Sequence, residues 1–331
     1  VFGDEAVGLG SGPPLLGVIV VITVVFFSSM FAVLHHVGVV RWVVGGMARV
    51  MAWSMGTSGA ESTSAAANVF VGQTEAPLLI RPYLPRMTNS ELGAVMTVGF
   101  ATVAGGVFAV YVSMLQEGVP GVAGHLLAAS VMSAPMALGL AKLVFPESER
   151  PETLGRDVAQ PRSEYANLVD AAASGAGDGM RLSINILGML IAFLAILQLV
   201  NGLLDLVWQD LTLQKVFGVA LAPIAWLLGV PSADAAAVGG LLGTKLAVNE
   251  YVAYDGLARL AADGAIAERS RVIASYALCG FANFGSIAIQ IGGLGGIAPE
   301  RRGDLARLGL RAMLAGALAS FTTAATAALL L

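Results

Sequence analysis

The chain has 331 residues, 56% of them hydrophobic and only 12% charged, with a net charge of −4. Soluble proteins carry roughly twice that share of charge, so an ordinary soluble enzyme, a disordered chain and a nucleic-acid binder with a basic footprint are excluded. The mean hydropathy of +0.79 and the single cysteine, Cys279, leave a polytopic helical membrane protein with no disulfide framework.

The sequence begins at Val1, no signal peptide with a basic start and cleavage site is visible in it, and further N-terminal helices are expected upstream. Residues 1–36 hold one transmembrane helix, built on the apolar tract 14–34. Residues 37–145 form a first unit. In it, 37–56 is interrupted by Arg41 and Arg49 and flanked by Trp42 and Trp53, the pattern of an interfacial amphipathic helix. No lysine or arginine occurs from Met87 to Ala141, which accommodates two spans, at 92–115 and 122–145. Residues 146–181 are rich in charge, with Pro146, Pro151 and Pro161 and a closing run of Gly175, Gly177 and Gly179; this composition predicts a polar surface loop. A transmembrane helix is expected at 182–210. A second unit, 211–300, contains an interfacial segment at 213–230 with Lys215, Pro223 and Trp226, a segment at 234–255 too polar in its middle for a plain span, and a glycine-broken stretch at 272–298. Residues 301–331 supply the last span.

The two units repeat. MAWSMG (51–56) matches IAWLLG (224–229), and each is followed by a small-residue segment ending in a polar cluster: GQTEAPLLI (72–80) and GTKLAVNEYVAY (243–254). Each cluster precedes a glycine-phenylalanine-alanine signature, GFATVAGG (99–106) and GFANFGSI (280–287). Such repeats are common in secondary transporters, where broken helices line a central site. Two half-spans of ~10 residues, each ~15 Å long, make a re-entrant hairpin, and Gly72 and Pro77 suit its tip. The predicted fold is all-α, with two repeats, each an interfacial helix, a re-entrant hairpin and a broken transmembrane helix.

Glu75 and Glu250 carry most of the chemistry. A carboxylate at membrane depth costs ~2.5–3.5 kcal/mol on insertion scales and usually marks function. The alternative is structural pairing with Arg81 and Lys245, the nearest cations in sequence. Gln73, Thr74, Asn283 and Ser286 accompany the acids. Amides, hydroxyls and carboxylates together suit a neutral solute rich in OH and NH groups, although such residues also join membrane helices. Phe281 and Val107 offer an apolar wall for a flat ring, or simple packing. Asn68 and Thr102, with freed carbonyls, offer oxygens to a hard cation such as sodium; by itself Asn68 also reads as a cap. His35, His36 and His125 have no metal-ligand spacing. Neither a phosphate-binding glycine loop nor a serine nucleophile elbow is present, and no nucleophile–base pair supports an enzyme. Cys279 reads as a packed small residue.

The motifs GQTEAPLLIRPYLP (72–85), GTKLAVNEYVAY (243–254) and SYALCGFANFGSIAIQIGGLGGIAP (275–299), supported by 56–71 and 124–147, resemble those of concentrative nucleoside transporters from about residue 15 to the end. The resemblance implies a bacterial sodium-coupled nucleoside importer in the inner (cytoplasmic) membrane, a homotrimer in lipid whose transport domain moves like an elevator, with pyrimidines such as uridine favoured and no organic cofactor. Proton coupling is the alternative. By the same resemblance, the base lies at Gln73, Thr74 and Glu75, with Val107 and Phe281 about the ring. The ribose lies at Glu250, Asn283 and Ser286. Sodium lies at the Asn68 side chain, the Val71 carbonyl, the Thr102 hydroxyl and the Val103 carbonyl. Bacterial members carry about three spans before the first interfacial helix, where this chain shows one.

Overall fold

The computed structural model describes residues 16–156, 158, 165–209 and 211–331. Among them the secondary structure is helical throughout. Helix α1 (Leu16–Val37) meets the interfacial α2 (Val39–Met55) at a 77° bend. Gly38 makes the bend with a φ of 92°, a value side chains resist. Trp42 and Trp53 point outward from α2, as an interfacial helix requires.

The first re-entrant hairpin descends as α3 (Gly59–Asn68), turns through residues 69–75 and returns as two short 3₁₀ turns, Ala76–Ile80 and Leu84–Arg86. Pro77 and Pro85 sit early in these turns, where a missing N–H costs least. The first broken span follows as α4 (Asn89–Ala101) and α5 (Gly105–Leu115), and α6 (Val122–Val144) completes the repeat. The break thus falls at Thr102–Ala104, just before Gly105 and Gly106.

Two capping boxes lock the entries of α3 and α4. Ser58 accepts from Glu61 N and Thr88 from Glu91 N, and each glutamate reaches back to its cap. The boxes are stitched together: Ser58 Oγ donates to Glu91 Oε1 at 2.5 Å, and Lys142 Nζ of α6 lies 2.7 Å from Glu61 Oε2. Both glutamates are buried. The ends of three helices are therefore held at one level, which sets how deep the hairpin reaches.

Helix α7 (Leu168–Val207) corrects the predicted loop at 146–181, because the helix already starts at residue 168. Asn167 caps it by accepting from Asp170 N at 2.9 Å. Two of the three glycines that read as loop signals are packing residues. A Cβ on Gly175 would lie 2.6 Å from Ala32 Cβ, and one on Gly179 would lie 2.8 Å from Val25 Cα, so both let α1 and α7 touch backbone to backbone. Part of the charge-rich stretch, including Asp157 and residues 159–164, lies outside the described residues.

The second repeat begins with the interfacial α8 (Leu213–Leu227). Its hairpin is α9 (Ala235–Ala247) and α10 (Glu250–Ala262), and its broken span is α11 (Glu268–Leu278) and α12 (Phe284–Ile297). Helix α13 (Arg302–Ala328) is the post against which α4, α6, α11 and α12 all pack.

Candidate functional site

Each hairpin tip rests on the break of its own repeat. In the first, Gly105 N donates to Phe70 O at 2.9 Å, and a Cβ on Gly72 would lie 2.7 Å from Ala104 Cβ. In the second, Lys245 Nζ donates to Ala277 O at 2.9 Å and Cys279 O at 3.1 Å, the carbonyls freed where α11 ends. A cation at a helix C-terminus is favourably placed. Ser320 of α13 also donates to Cys279 O, at 2.6 Å. The buried Cys279 fills space at this junction.

The two breaks meet at Gly280. Its φ is 111°, and a Cβ there would lie 2.7 Å from Phe100 O. No other residue gives both that conformation and that approach without strain.

Glu250 opens α10 directly after its cap Asn249, whose Oδ1 accepts from Val252 N at 2.9 Å. The carboxylate is buried and receives two hydrogen bonds, from Tyr111 Oη to Oε1 at 2.9 Å and from Asn283 Nδ2 to Oε2 at 2.9 Å. Asn283 caps α12, its Oδ1 accepting from Ser286 N at 2.8 Å. Each carboxylate oxygen has two lone pairs, so Glu250 keeps acceptor capacity for hydroxyls. Ser286 is buried next to this pair, and Phe281 is half-buried in the break.

At the other end, Gln73 Oε1 accepts from Gln290 Nε2 at 2.8 Å. Thr74 sits over α12, 3.5 Å from where a Cβ on Gly293 would stand. Ser286, Gln290 and Gly293 occupy positions i, i+4 and i+7 of α12, hence one face. The N-cap and one face of α12 therefore carry a polar line from Glu250 to the tip of the first hairpin. Glu75 follows on that tip and is exposed, while Val107 is buried in the first turn of α5.

The structural alternative for the glutamates is not what the fold builds. Among the described residues, no salt bridge reaches Glu75 or Glu250. Arg81 is exposed, and Lys245 is committed to carbonyls.

Asn68 ends α3 and is fully buried. Its Nδ2 donates to Ser64 O at 3.1 Å, while its Oδ1 has no hydrogen-bond partner. Thr102 caps the C-terminus of α4 and donates its hydroxyl to Val98 O at 3.0 Å, which leaves its lone pairs open. Val71 and Val103 flank the contact between Phe70 and Gly105. A buried acceptor without a donor costs about 1–3 kcal/mol, and a bound cation would satisfy it.

Tyr111, Gln290 and the carbonyl-binding role of Lys245 escape the sequence reading. Gln290 did leave a signal, as the one amide in the apolar run 284–297. Tyr111 left none, since its partner lies 139 residues away.

Paired hairpins, crossed helix breaks and a polar line between them define a membrane transporter. Residues 125–328 match the family described as "Na+ dependent nucleoside transporter C-terminus", and residues 18–117 match "Gate: Nucleoside recognition". An uncharacterized transporter of Haemophilus influenzae is 48% identical over 320 residues, covering 92% of this chain and 74% of that protein. Solute carrier family 28 member 3 of Mus musculus is 43% identical over 327 residues, covering 93% of this chain but 46% of the mouse protein. The structure of CNTnw in an inward-facing substrate-bound state superposes with a TM-score of 0.91 at 44% identity, covering 99% of this chain and 78% of that one. The chain belongs to the sodium-dependent nucleoside transporter family, a family of multi-pass membrane transporters and not of enzymes.

Proposed function

We propose that this chain imports nucleosides across a bacterial inner membrane by symport with sodium. The observation that carries the reading is the polar line on α12, which joins Glu250 of the second hairpin to Gln73 of the first. A solute lying along it meets hydroxyl acceptors and donors at Glu250, Asn283 and Ser286, and amide and hydroxyl groups at Gln73 and Thr74. That order matches a sugar joined to a base. Val107 and Phe281 flank the ring, and Glu75 closes the base end. The pyrimidine preference, the homotrimer and the elevator-like movement of a transport domain are part of the same reading and rest on the family.

Sodium is favoured by the orphaned Oδ1 of Asn68. A neutral amide oxygen ligates a cation but does not carry a proton at physiological pH. With Thr102 Oγ and the carbonyls of Val71 and Val103, it would hold the ion where the first hairpin rests on its break. Ion binding would then order Gln73 and Thr74, and each ligand would raise the affinity of the other by the same factor. Proton coupling is the second reading, favoured by Glu75, a carboxyl group on the first hairpin tip with no salt bridge among the described residues.

The test is uptake of labelled uridine into proteoliposomes with an inward sodium gradient, against choline at fixed pH. Uptake only with sodium supports symport. Uptake in both, rising with external acid, moves the coupling to protons. No uptake by folded, inserted protein leaves the fold standing and reopens the substrate.

A further inference from the structure

Gln290 ties the two repeats together at the base end of the site. It is 1% exposed, and its Nε2 donates to two acceptors, Gln73 Oε1 at 2.8 Å and Met96 O of α4 at 3.1 Å. Its own Oε1 is buried with no donor, so the bonds that hold it are those its nitrogen gives.

The polarity of this arrangement is forced. Met96 O is a backbone carbonyl and only accepts, so Gln290 must turn its nitrogen toward it. The same nitrogen faces Gln73, so Gln73 must answer with its oxygen. The NH2 group of Gln73 is then the end left for a bound molecule. The space is equally constrained. A Cβ on Gly99 would lie 2.7 Å from Gln290 Nε2 and 3.0 Å from Gln73 Cβ, so the pair fits only because residue 99 has no side chain.

We infer that Gln290 is a positioning residue that sets which end of the Gln73 amide faces the base, and so selects a base edge bearing a carbonyl oxygen over one bearing an amino group. The inference rests on the nucleoside reading above. A site built to donate rejects a second donor, because two N–H groups then face each other unpaired. Uridine and cytidine differ at that edge in this sense, oxygen against amino group, and share the same ribose.

The experiment compares kcat/KM for uridine, cytidine and 2′-deoxyuridine in proteoliposomes of the full chain. Wild type is expected to favour uridine over cytidine by about tenfold. Gln290→Met removes the donor and lets Gln73 turn either way, so the ratio falls toward one. Gln290→Glu, neutral when buried without a cation, puts a hydroxyl with one proton where the NH2 stood; that proton goes to Met96 O, so Gln73 turns its NH2 toward the hydroxyl's lone pair and presents its oxygen, and the preference shifts to cytidine. The ratio of uridine to 2′-deoxyuridine stays put in both, because the Glu250 end is untouched. A merely structural role would lower all three substrates together. That result, a wild type indifferent to the base edge or preferring cytidine, or variants that keep the wild-type ratio would overturn the proposal. If neither variant inserts, Gly99→Ala drives the pair apart and must narrow the same ratio. Nucleoside uptake with an unaltered ratio defeats this inference alone, whereas a wild type that moves no nucleoside defeats the transport reading as well.

Discussion

Asn283 and Glu250 hold each other in place across two elements. The Asn283 amide donates to Glu250 Oε2 at 2.9 Å while its oxygen caps α12 through Ser286 N at 2.8 Å. One side chain thus ends the break in the second span and aims the carboxylate of the second hairpin. Asn283→Asp separates the two tasks. The aspartate keeps the cap but loses the donor and sets two carboxylates together. Nucleoside affinity, measured by titration calorimetry in detergent, should fall at least about tenfold. Asn283→Ala loses the cap too, which costs about 1 kcal/mol more in stability.

The buried Oδ1 of Asn68 predicts a different phenotype. Asn68→Ala should raise the sodium concentration for half-maximal uptake by about tenfold or more, the loss of one good oxygen ligand. Glu250→Gln should instead mainly weaken recognition of the ribose, and at saturating nucleoside its sodium curve should stay close to that of wild type. Equal sodium dependence in wild type and Asn68→Ala would sink the ion assignment.

Lys245 caps the end of α11 through two carbonyls and makes no direct ion pair with Glu250. Lys245→Met should leave Ala277 O without its donor, while Cys279 O keeps its bond from Ser320. One orphaned buried acceptor costs about 1–3 kcal/mol. Thermal unfolding of the purified protein should shift down, and Ser320→Ala, which leaves Cys279 O bonded to Lys245, should shift it less. If Lys245 served instead to neutralise Glu250, then Lys245→Met combined with Glu250→Gln would restore stability; no such rescue is expected.

Gly280 sets the distance between the two breaks. Gly280→Ala places a methyl 2.7 Å from Phe100 O at a φ of 111°. Backbone strain of this kind costs about 1–3 kcal/mol before the clash is counted. Uptake should be lost and the unfolding temperature lowered, whereas Gly292→Ala, with open space around its Cβ position, should behave as wild type.

The repeat, its two interfacial helices and the residues at both hairpin tips were legible in the sequence because each departs from a simple rule. Tryptophan and arginine interrupt an apolar face, and a carboxylate stands at membrane depth. The start of α7 was not legible. Glycine in a polar stretch reads as a turn, and the same glycine against another helix reads as a close contact. Gly175 and Gly179 are of the second kind only because α1 lies beside them. A spacing of five residues made Lys245 a candidate structural partner for Glu250. No direct ion pair forms, because α9 ends between them and Lys245 is held by the carbonyls at the end of α11, the broken span of the same repeat.

Composition and patterning by themselves determined that the chain is a helical membrane protein, that it is built twice over, and which polar residues sit at its broken segments. These are local properties, set by what the bilayer tolerates along a continuous stretch of chain. Tertiary structure alone decided which of those groups meet. Tyr111 reaches Glu250 from 139 residues away and Gln290 reaches Gln73 from 217. A hydrogen bond depends on position and direction at both ends, and only the crossing of the two breaks at Gly280 brings those ends together.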